Sequence, residues 1–409
     1  MRILYDAGIL LMDAGLHAAA PFNAKARLWV KGRRNIFREM AAAAEPGADV
    51  IWFHAASLGE FEQGRPVIEA FRAARPEYKI LVTFFSPSGY EIRKNYAGAD
   101  YIFYLPLDTP RNVRRFLDIF RPKIAVFVKY EFWLNYLLEM ERRGTKIYLI
   151  SSIFRPRQIF FRPWGGLFRR ALRGFGHLFV QNEESRQLLA GIGIDRVSVA
   201  GDTRFDRVHS IASQAKELPE VARFAAGAPV LVAGSTWPPD EELLTGLIAR
   251  YGDVKFIVAP HEIDSARIER LIARIGRPAL RYTQLTPQSD LERAQVLFID
   301  TIGILSSVYR YGRWGYIGGG FGVGIHNTLE AATFGLPLAF GPRYEKFREA
   351  RDLIALGGAA SVSGEQELQQ WFAALHDDPD RTRRCAEACR DYVAEHKGAT
   401  DQIMAEICR

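Results

Sequence analysis

Two carboxylates just beyond apolar runs are the first candidates for chemistry. Glu60 closes His54-Ala-Ala-Ser-Leu-Gly-Glu60, after the run at 50–55 and at the entry to a helical stretch. An acid at a strand's end with glycine before it can accept a proton from an attacking hydroxyl. The same place suits a carboxylate that caps the helix and sits in its dipole, so the residues alone leave both roles open. Glu131 stands in Lys129-Tyr-Glu131-Phe-Trp133, at the end of a second apolar run. A salt bridge to Lys129 or a neighbouring arginine is its structural alternative.

The stretch 318–342 carries a different chemistry. It begins Gly-Gly-Gly-Phe-Gly-Val-Gly-Ile-His-Asn-Thr-Leu-Glu, with Gly320 in the turn, His326 and Asn327 at an expected helix start and Glu330 one turn on. Backbone N–H groups in such a turn can approach a phosphate closely, with the positive end of a helix dipole behind them. Gly234-Ser235-Thr236-Trp-Pro-Pro-Asp follows another apolar run, where Ser235 and Thr236 can cap a helix while donating to a phosphate or a sugar carboxylate. His261, after Pro260, ends the next run; an isolated histidine there is often only a hydrogen-bonded loop residue.

These positions need parallel strands to hold them, and the pattern supplies them. Short apolar, β-rich runs at 50–55, 79–85, 101–104, 124–129, 146–150, 177–180 and 197–200 alternate with helical stretches. A second series runs 230–233, 255–259, 279–282, 296–299, 314–317 and 337–340. Continuous apolar strands separated by helices predict parallel sheets covered on both faces, with ligands at the strands' C-terminal ends. The expected architecture is α/β, with two Rossmann-like domains facing a central cleft. Its parts are an N-terminal helical segment (1–48), a first domain (49–205), a polar linker (206–228) and a second domain with terminal helices (229–409).

The ordered motifs resemble those of the 3-deoxy-D-manno-octulosonic acid (Kdo) transferases, glycosyltransferases of the GT-B class. The resemblance runs from about residue 50 to 355 and rests on Ser57-Leu-Gly-Glu60, Asp300-Thr-Ile-Gly303 and the Gly-Ile-His-Asn-Thr-Leu-Glu run. It implies transfer of Kdo from CMP-Kdo to a lipid A precursor, with inversion and with Glu60 as general base. It further implies that Glu131 assists the transition state and that Arg204, in Gly201-Asp-Thr-Arg204-Phe-Asp206, meets the charge left on CMP, as a guanidinium can through two hydrogen bonds. Donor contacts are implied for Ser235, Thr236, Pro260, His261, Gly303, Ile304, Leu305, Gly320, His326, Asn327, Thr328, Leu329 and Glu330. The chain departs from the family pattern at Leu134 (usually Pro), Arg204 (usually Lys), Ile304 (usually Glu) and Ile325 (usually Gly).

Composition bounds the remainder. At 409 residues, 48% hydrophobic and 25% charged, the chain is globular and long enough for two cores. Cys385, Cys389 and Cys408 give no disulfide framework or metal signature, so no metal and no cofactor beyond the donor substrate are expected. Between residues 154 and 179 six arginines interleave with Phe160, Phe161, Trp164, Phe168 and Phe175, without an acid. That composition suits an anionic membrane surface, with nucleic acid as the disfavoured competitor and a core-packed helix as the structural alternative. Asp6 and Asp13 interrupt the apolar N-terminus, and Lys25 to Arg34 follow it. An interfacial helix on the cytoplasmic side of the inner membrane is expected, and a buried amphipathic helix is nearly as good a reading. A nicotinamide oxidoreductase is disfavoured, since no Gly-x-Gly-x-x-Gly follows the first strand. A UDP-sugar transferase or epimerase, and an inactive lipid-binding scaffold, remain as alternatives.

Overall fold

The computed structural model describes residues 2–409. The chain forms two compact units, one reaching to Arg207 and completed by Lys397–Arg409, the other Val208–His396. The first holds strands β1 (Val50–Ala55), β2 (Lys79–Phe84), β3 (Tyr101–Tyr104), β4 (Ile124–Val128), β5 (Lys146–Ser152), β6 (His177–Val180) and β7 (Val197–Val199). They pair in parallel, in the order β3-β2-β1-β4-β5-β6-β7. The second holds β8 (Val230–Thr236), β9 (Lys255–Pro260), β10 (Ala279–Arg281), β11 (Val296–Phe298), β12 (Trp314–Ile317), β13 (Leu338–Phe340) and β14 (Ala359–Ser361). Its order is β10-β11-β9-β8-β12-β13-β14, again parallel.

The two-residue period of a strand explains why both sheets are largely apolar on both faces. In β1, Val50 and Trp52 enter one core with Leu81, Phe116, Phe127 and Tyr136. Ile51, Phe53 and Ala55 enter the opposite one with Phe61, Val67 and Phe71. Helices cover both faces, so neither side of the strand is left for polar residues. Each large side chain buried this way contributes on the order of 1.5–3 kcal/mol. In the second unit, Leu231, Phe256, Trp314 and Tyr316 meet Leu244, Leu247 and Phe372 in the same manner.

Four features differ from the sequence expectation. Strand β14 was not anticipated, because Ala-Ala-Ser has no apolar pattern and forms only by pairing along β13. The closing helix Ala399–Ile407, placed with the second domain by its position in the chain, belongs to the first unit. Its Ile403 and Ile407 complete the core beside Phe53 and Phe71, and the Asp206 carboxylate accepts from Gly398 N–H, Thr400 N–H and Thr400 Oγ1 to fix its start. The linker stretch, helical as its pattern suggests, is for the most part built into the second unit: it forms helices Arg204–Ser213 and Pro219–Ala225, the second packed by buried Val221 and Phe224. Finally, the aromatics of 154–179 pack inward: Phe154, Phe160 and Phe175 are buried around Phe132, and Phe161 and Phe168 line the same core. Only Trp164 stays outside, 61% exposed, while Arg155, Arg157, Arg162, Arg170 and Arg173 remain at the surface.

The N-terminal helices Arg2–Ala19, Ala24–Lys31 and Ile36–Ala43 are tied to the first unit on one side only. Tyr5 donates to Asp108 Oδ2 at 2.6 Å, Arg2 to Asn135, and Trp29, Ile36 and Met40 are buried. On the other side Ile3, Leu4, Leu11 and Phe22 are between 73% and 92% exposed. Among the described residues no single helix is long and apolar enough to cross a membrane; the first two pass that test only together, bent by 118°.

Candidate functional site

In the first unit the ends of β1, β2 and β4 gather a hydrogen-bonded cluster. His54, fully buried on β1, faces Thr83 through Nδ1, 2.8 Å from Oγ1, and the Thr83 hydroxyl also accepts from Trp52 Nε1 at 2.7 Å. On its other side His54 Nε2 lies 3.0 Å from Glu131 Oε2, to which Trp133 Nε1 donates at 2.7 Å. A salt bridge was the structural alternative for Glu131; the carboxylate is held by an imidazole and an indole, and the chain leaves β4 through a turn that starts with Lys129 at φ 63°. Positive φ in a non-glycine residue is a strained conformation that packing must enforce.

Glu60 is the third residue of helix Leu58–Ala74. Its Oε2 accepts from Ala56 N–H at 2.5 Å, one residue before the N-cap Ser57, while its Oε1 makes no hydrogen bond among the described residues. Burial, and next the charge of Glu131, raise its pKa above the usual carboxylate value, against the opposing pull of Ala56 N–H, His54 and Lys129. A carboxylate fixed by one oxygen, open at the other and with increased proton affinity is built to take a proton. Arg204 is oriented by Asp202, which accepts from its Nε at 2.9 Å and is itself held by Gln63.

In the second unit the ends of β8, β9 and β12 bring together Ser235, Thr236, Pro260, His261, Gly320 and His326. His261 N–H donates to the Thr236 carbonyl at 2.9 Å, and His326 N–H to the Gly318 carbonyl at 3.1 Å. Trp237, His261 and His326 form a column, with ring centroids 4.8 Å apart in the first pair and 4.3 Å in the second, both stacked. Trp237 Nε1 donates to His326 Nε2 at 3.1 Å, which requires an unprotonated acceptor nitrogen. Burial and the neighbouring His261 accordingly lower the His326 pKa to about 4.

The glycines act differently from the sequence expectation. A Cβ on Gly318 would lie 2.2 Å from the Ser235 carbonyl oxygen, and one on Gly320 2.6 Å from Gly341 Cα. These two glycines let β12 and its turn pass against neighbouring backbone. The helix behind the turn is a single turn, Leu329–Ala332, so little dipole accumulates there. Ser235 and Thr236 do not cap the next helix either: Pro238–Arg250 is preceded by Trp237, whose N–H bonds Asp240 Oδ2 at 2.9 Å. Thr236 instead donates to Glu241, and Ser235 takes a left-handed φ of 54°.

Of the remaining candidates, Asn327 Nδ2 donates to Glu330 Oε1 at 3.0 Å, and Asn327 Oδ1 accepts from Leu329 N–H at 3.2 Å. Thr328 is buried, with its hydroxyl lacking a partner. Gly303 turns with φ 94° into Ile304 and the short helix Leu305–Val308, where Leu305 packs beside Gly234. No group of three or more His, Cys, Asp or Glu side chains is placed to hold a metal ion among the described residues.

A model of the family described as 3-deoxy-D-manno-octulosonic-acid transferase (kdotransferase) matches residues 30–207. The chain is 26% identical over 383 residues to the 3-deoxy-D-manno-octulosonic acid transferase of Bordetella pertussis, covering 90% of this chain and 89% of that one. It is 27% identical over 329 residues to the enzyme of the same name from Aquifex aeolicus, covering 78% and 83%. The chain thus resembles Kdo transferases over most of its length, and its residues 30–207 match that family's model. It is accordingly an enzyme, a glycosyltransferase. Solved structures agree on the fold. The UDP-GlcNAc 2-epimerase of Neisseria meningitidis superposes with a TM-score of 0.62 at 15% identity, covering 88% of this chain and 99% of that one. A calicheamicin glycosyltransferase does so with 0.56 at 15%, covering 89% and 99%. Both show the GT-B architecture of two parallel sheets and nothing of substrate.

Three residues at these strand ends, His54, Trp237 and Asp240, had no site role in the sequence reading. His54 stood inside the Glu60 motif without a role, although a histidine within an otherwise apolar strand is a signal of a buried partner. Trp237 and Asp240 were read only through the helix start. Asp240 in fact fixes the glycine-rich turn by accepting from Gly319 N–H and Tyr316 Oη.

Proposed function

We propose that the protein transfers Kdo from CMP-Kdo to a lipid A precursor by direct displacement with inversion. Kdo transfer in lipopolysaccharide biosynthesis is the activity that the family relation supports. The observation that carries the residue assignment is Glu60, with Oε2 held by Ala56 and Oε1 open, its proton affinity raised by burial and by Glu131. In the reaction an acceptor hydroxyl oxygen attacks the anomeric carbon, its proton passes to Glu60, and the bond from that carbon to the CMP phosphate breaks. Glu131, held by His54 and Trp133, keeps Glu60 basic enough for this. Arg204, steered by Asp202, pairs the charge gathering on the departing phosphate.

Donor binding falls to the second unit. The flat surface of the Trp237–His261–His326 column suits a pyrimidine ring, and Glu330, partnered by Asn327, suits ribose hydroxyls. The exposed apolar side of the N-terminal helices, with the surface arginines of 154–179, would hold the enzyme on the cytoplasmic face of the inner membrane, where the acceptor resides. The test is CMP release from CMP-Kdo with and without a tetra-acylated lipid A precursor, in EDTA, beside Glu60→Ala. Acceptor-dependent release that survives EDTA and vanishes in the variant is expected. Release from a UDP-sugar in place of CMP-Kdo would overturn the donor.

A further inference from the structure

The N-terminal helices do more than present an apolar side. Beneath them, in the first unit, lies a cavity of about 530 Å³. Its wall carries the cations Arg27, Lys31, Arg33 and Arg34 against Asp13, the one carboxylate there, which pairs with His17 at 3.4 Å. Arg27, Lys31 and Arg34 are exposed. Arg33 is enclosed: its guanidinium lies 3.9 Å from the Trp29 ring centroid and 4.7 Å from that of Tyr104, and donates only to the carbonyls of Trp29, Phe85 and Leu105. It makes no ion pair among the described residues. Trp29, 3% exposed in the same wall, has an indole N–H with no hydrogen-bond partner. A buried donor left unmade costs free energy unless a partner arrives.

Uncompensated cations and an orphan donor around one cavity call for an anion with several acceptor oxygens. The surroundings narrow its kind. Apolar Val30, Phe37 and Leu107 share the wall, and Leu10 and Leu11 on the first helix, and Phe22 in the turn after it, are 57%, 73% and 92% exposed. A free, fully hydrated anion gains nothing from such surfaces, whereas an amphiphile gains on both counts. We propose that this cavity is a headgroup site for a phosphate-bearing amphiphile lying in the membrane surface. The volume suits a headgroup, within the usual range of small-ligand pockets. Phe85 connects the site to the chemistry, since its ring lies 5.9 Å from Trp29 and 4.8 Å from Trp133, which holds Glu131. A seated headgroup thereby fixes how the Glu60–Glu131 edge of the sheet meets the membrane. The site stands whichever sugar the enzyme moves.

The test uses the full chain and two probes. In vesicle flotation, phosphatidylcholine with about 20 mol% phosphatidylglycerol is compared for the parent, for Arg27→Gln with Arg34→Gln, and for the control pair Arg38→Gln with Arg111→Gln. At about fivefold per surface charge, the pocket pair is expected to weaken binding some twentyfold and the control pair less than about threefold. Equal losses would reduce the effect to general attraction and overturn the site. In the second arm the Trp29 indole N–H resonance, assigned with Trp29→Phe, is followed by NMR. Monomeric short-chain phosphatidylglycerol is expected to move it, and inorganic phosphate at the same concentration to leave it in place. An equal shift with inorganic phosphate would make this a free-phosphate site, and no shift with either would leave the cavity without the proposed ligand; both overturn the proposal.

Discussion

The two strand-end regions solve opposite electrostatic problems. At the end of the first sheet two carboxylates are kept close together, and burial, then their mutual repulsion, raise the proton affinity of Glu60. At the end of the second sheet the His326 ring is kept neutral, stacked on His261 and accepting from Trp237. Proton chemistry needs a group poised to change charge, while recognition of a flat ring is better served by one that does not. The division of labour between the units is thus visible in which groups are made to titrate.

The largest expected effect comes from removing the poised group. Glu60→Gln keeps the acceptor for Ala56 N–H and should lower kcat by about 10²–10⁴, the range of a lost general base, with the donor Kd unchanged. Loss of donor affinity in that variant would break the contrast between the two regions. Next is the backbone contact that shapes the second region. Gly318→Ala places a methyl 2.2 Å from the Ser235 carbonyl oxygen and should destabilise the second unit by about 1–3 kcal/mol, read as a lowered Tm and weaker donor binding.

Smaller and more diagnostic is Glu131→Gln. Removing that charge withdraws one cause of the raised Glu60 value, so the acid limb of the kcat/KM profile should move to lower pH as the rate falls roughly tenfold. The same shift reads in stability. Glu60 binds its proton more tightly folded than unfolded, so its contribution is full below the ordinary value of 4.5 and is lost as pH rises through the raised folded value. Glu60→Gln should therefore gain Tm relative to the parent as pH rises through that window. The smallest effect is a flat line. With His326 neutral above about 4, donor affinity should not change between about pH 5.5 and 8 from this residue. A titration centred near 6.5 would show that the column is protonated in use.

Much of this was legible in the sequence because parallel strands buried on both faces leave continuous apolar runs. Those runs placed β1, β3, β6 and β12 to the residue. β14 and the helix Ala399–Ile407 were beyond reach, the one because Ala-Ala-Ser carries no pattern, the other because chain order says nothing about which core Ile403 joins. At the site, residue type located Glu60 and Glu131 but could not pair them with Ala56, His54 and Trp133, contacts made across separate strands and turns. The glycine run was ambiguous for a related reason. A glycine that admits a phosphate and one that admits a neighbouring backbone look alike until the neighbour, here Ser235 or Gly341, is known.

The most direct test of this separation measures two quantities on one variant: the single-turnover rate of Kdo transfer at saturating CMP-Kdo, and the equilibrium Kd for CMP, in Glu60→Gln and the parent. The account predicts a rate lower by at least about a hundredfold with Kd within about twofold. A variant that transfers at the parental rate once saturated, with Kd raised, would contradict it and return Glu60 to the capping role alone.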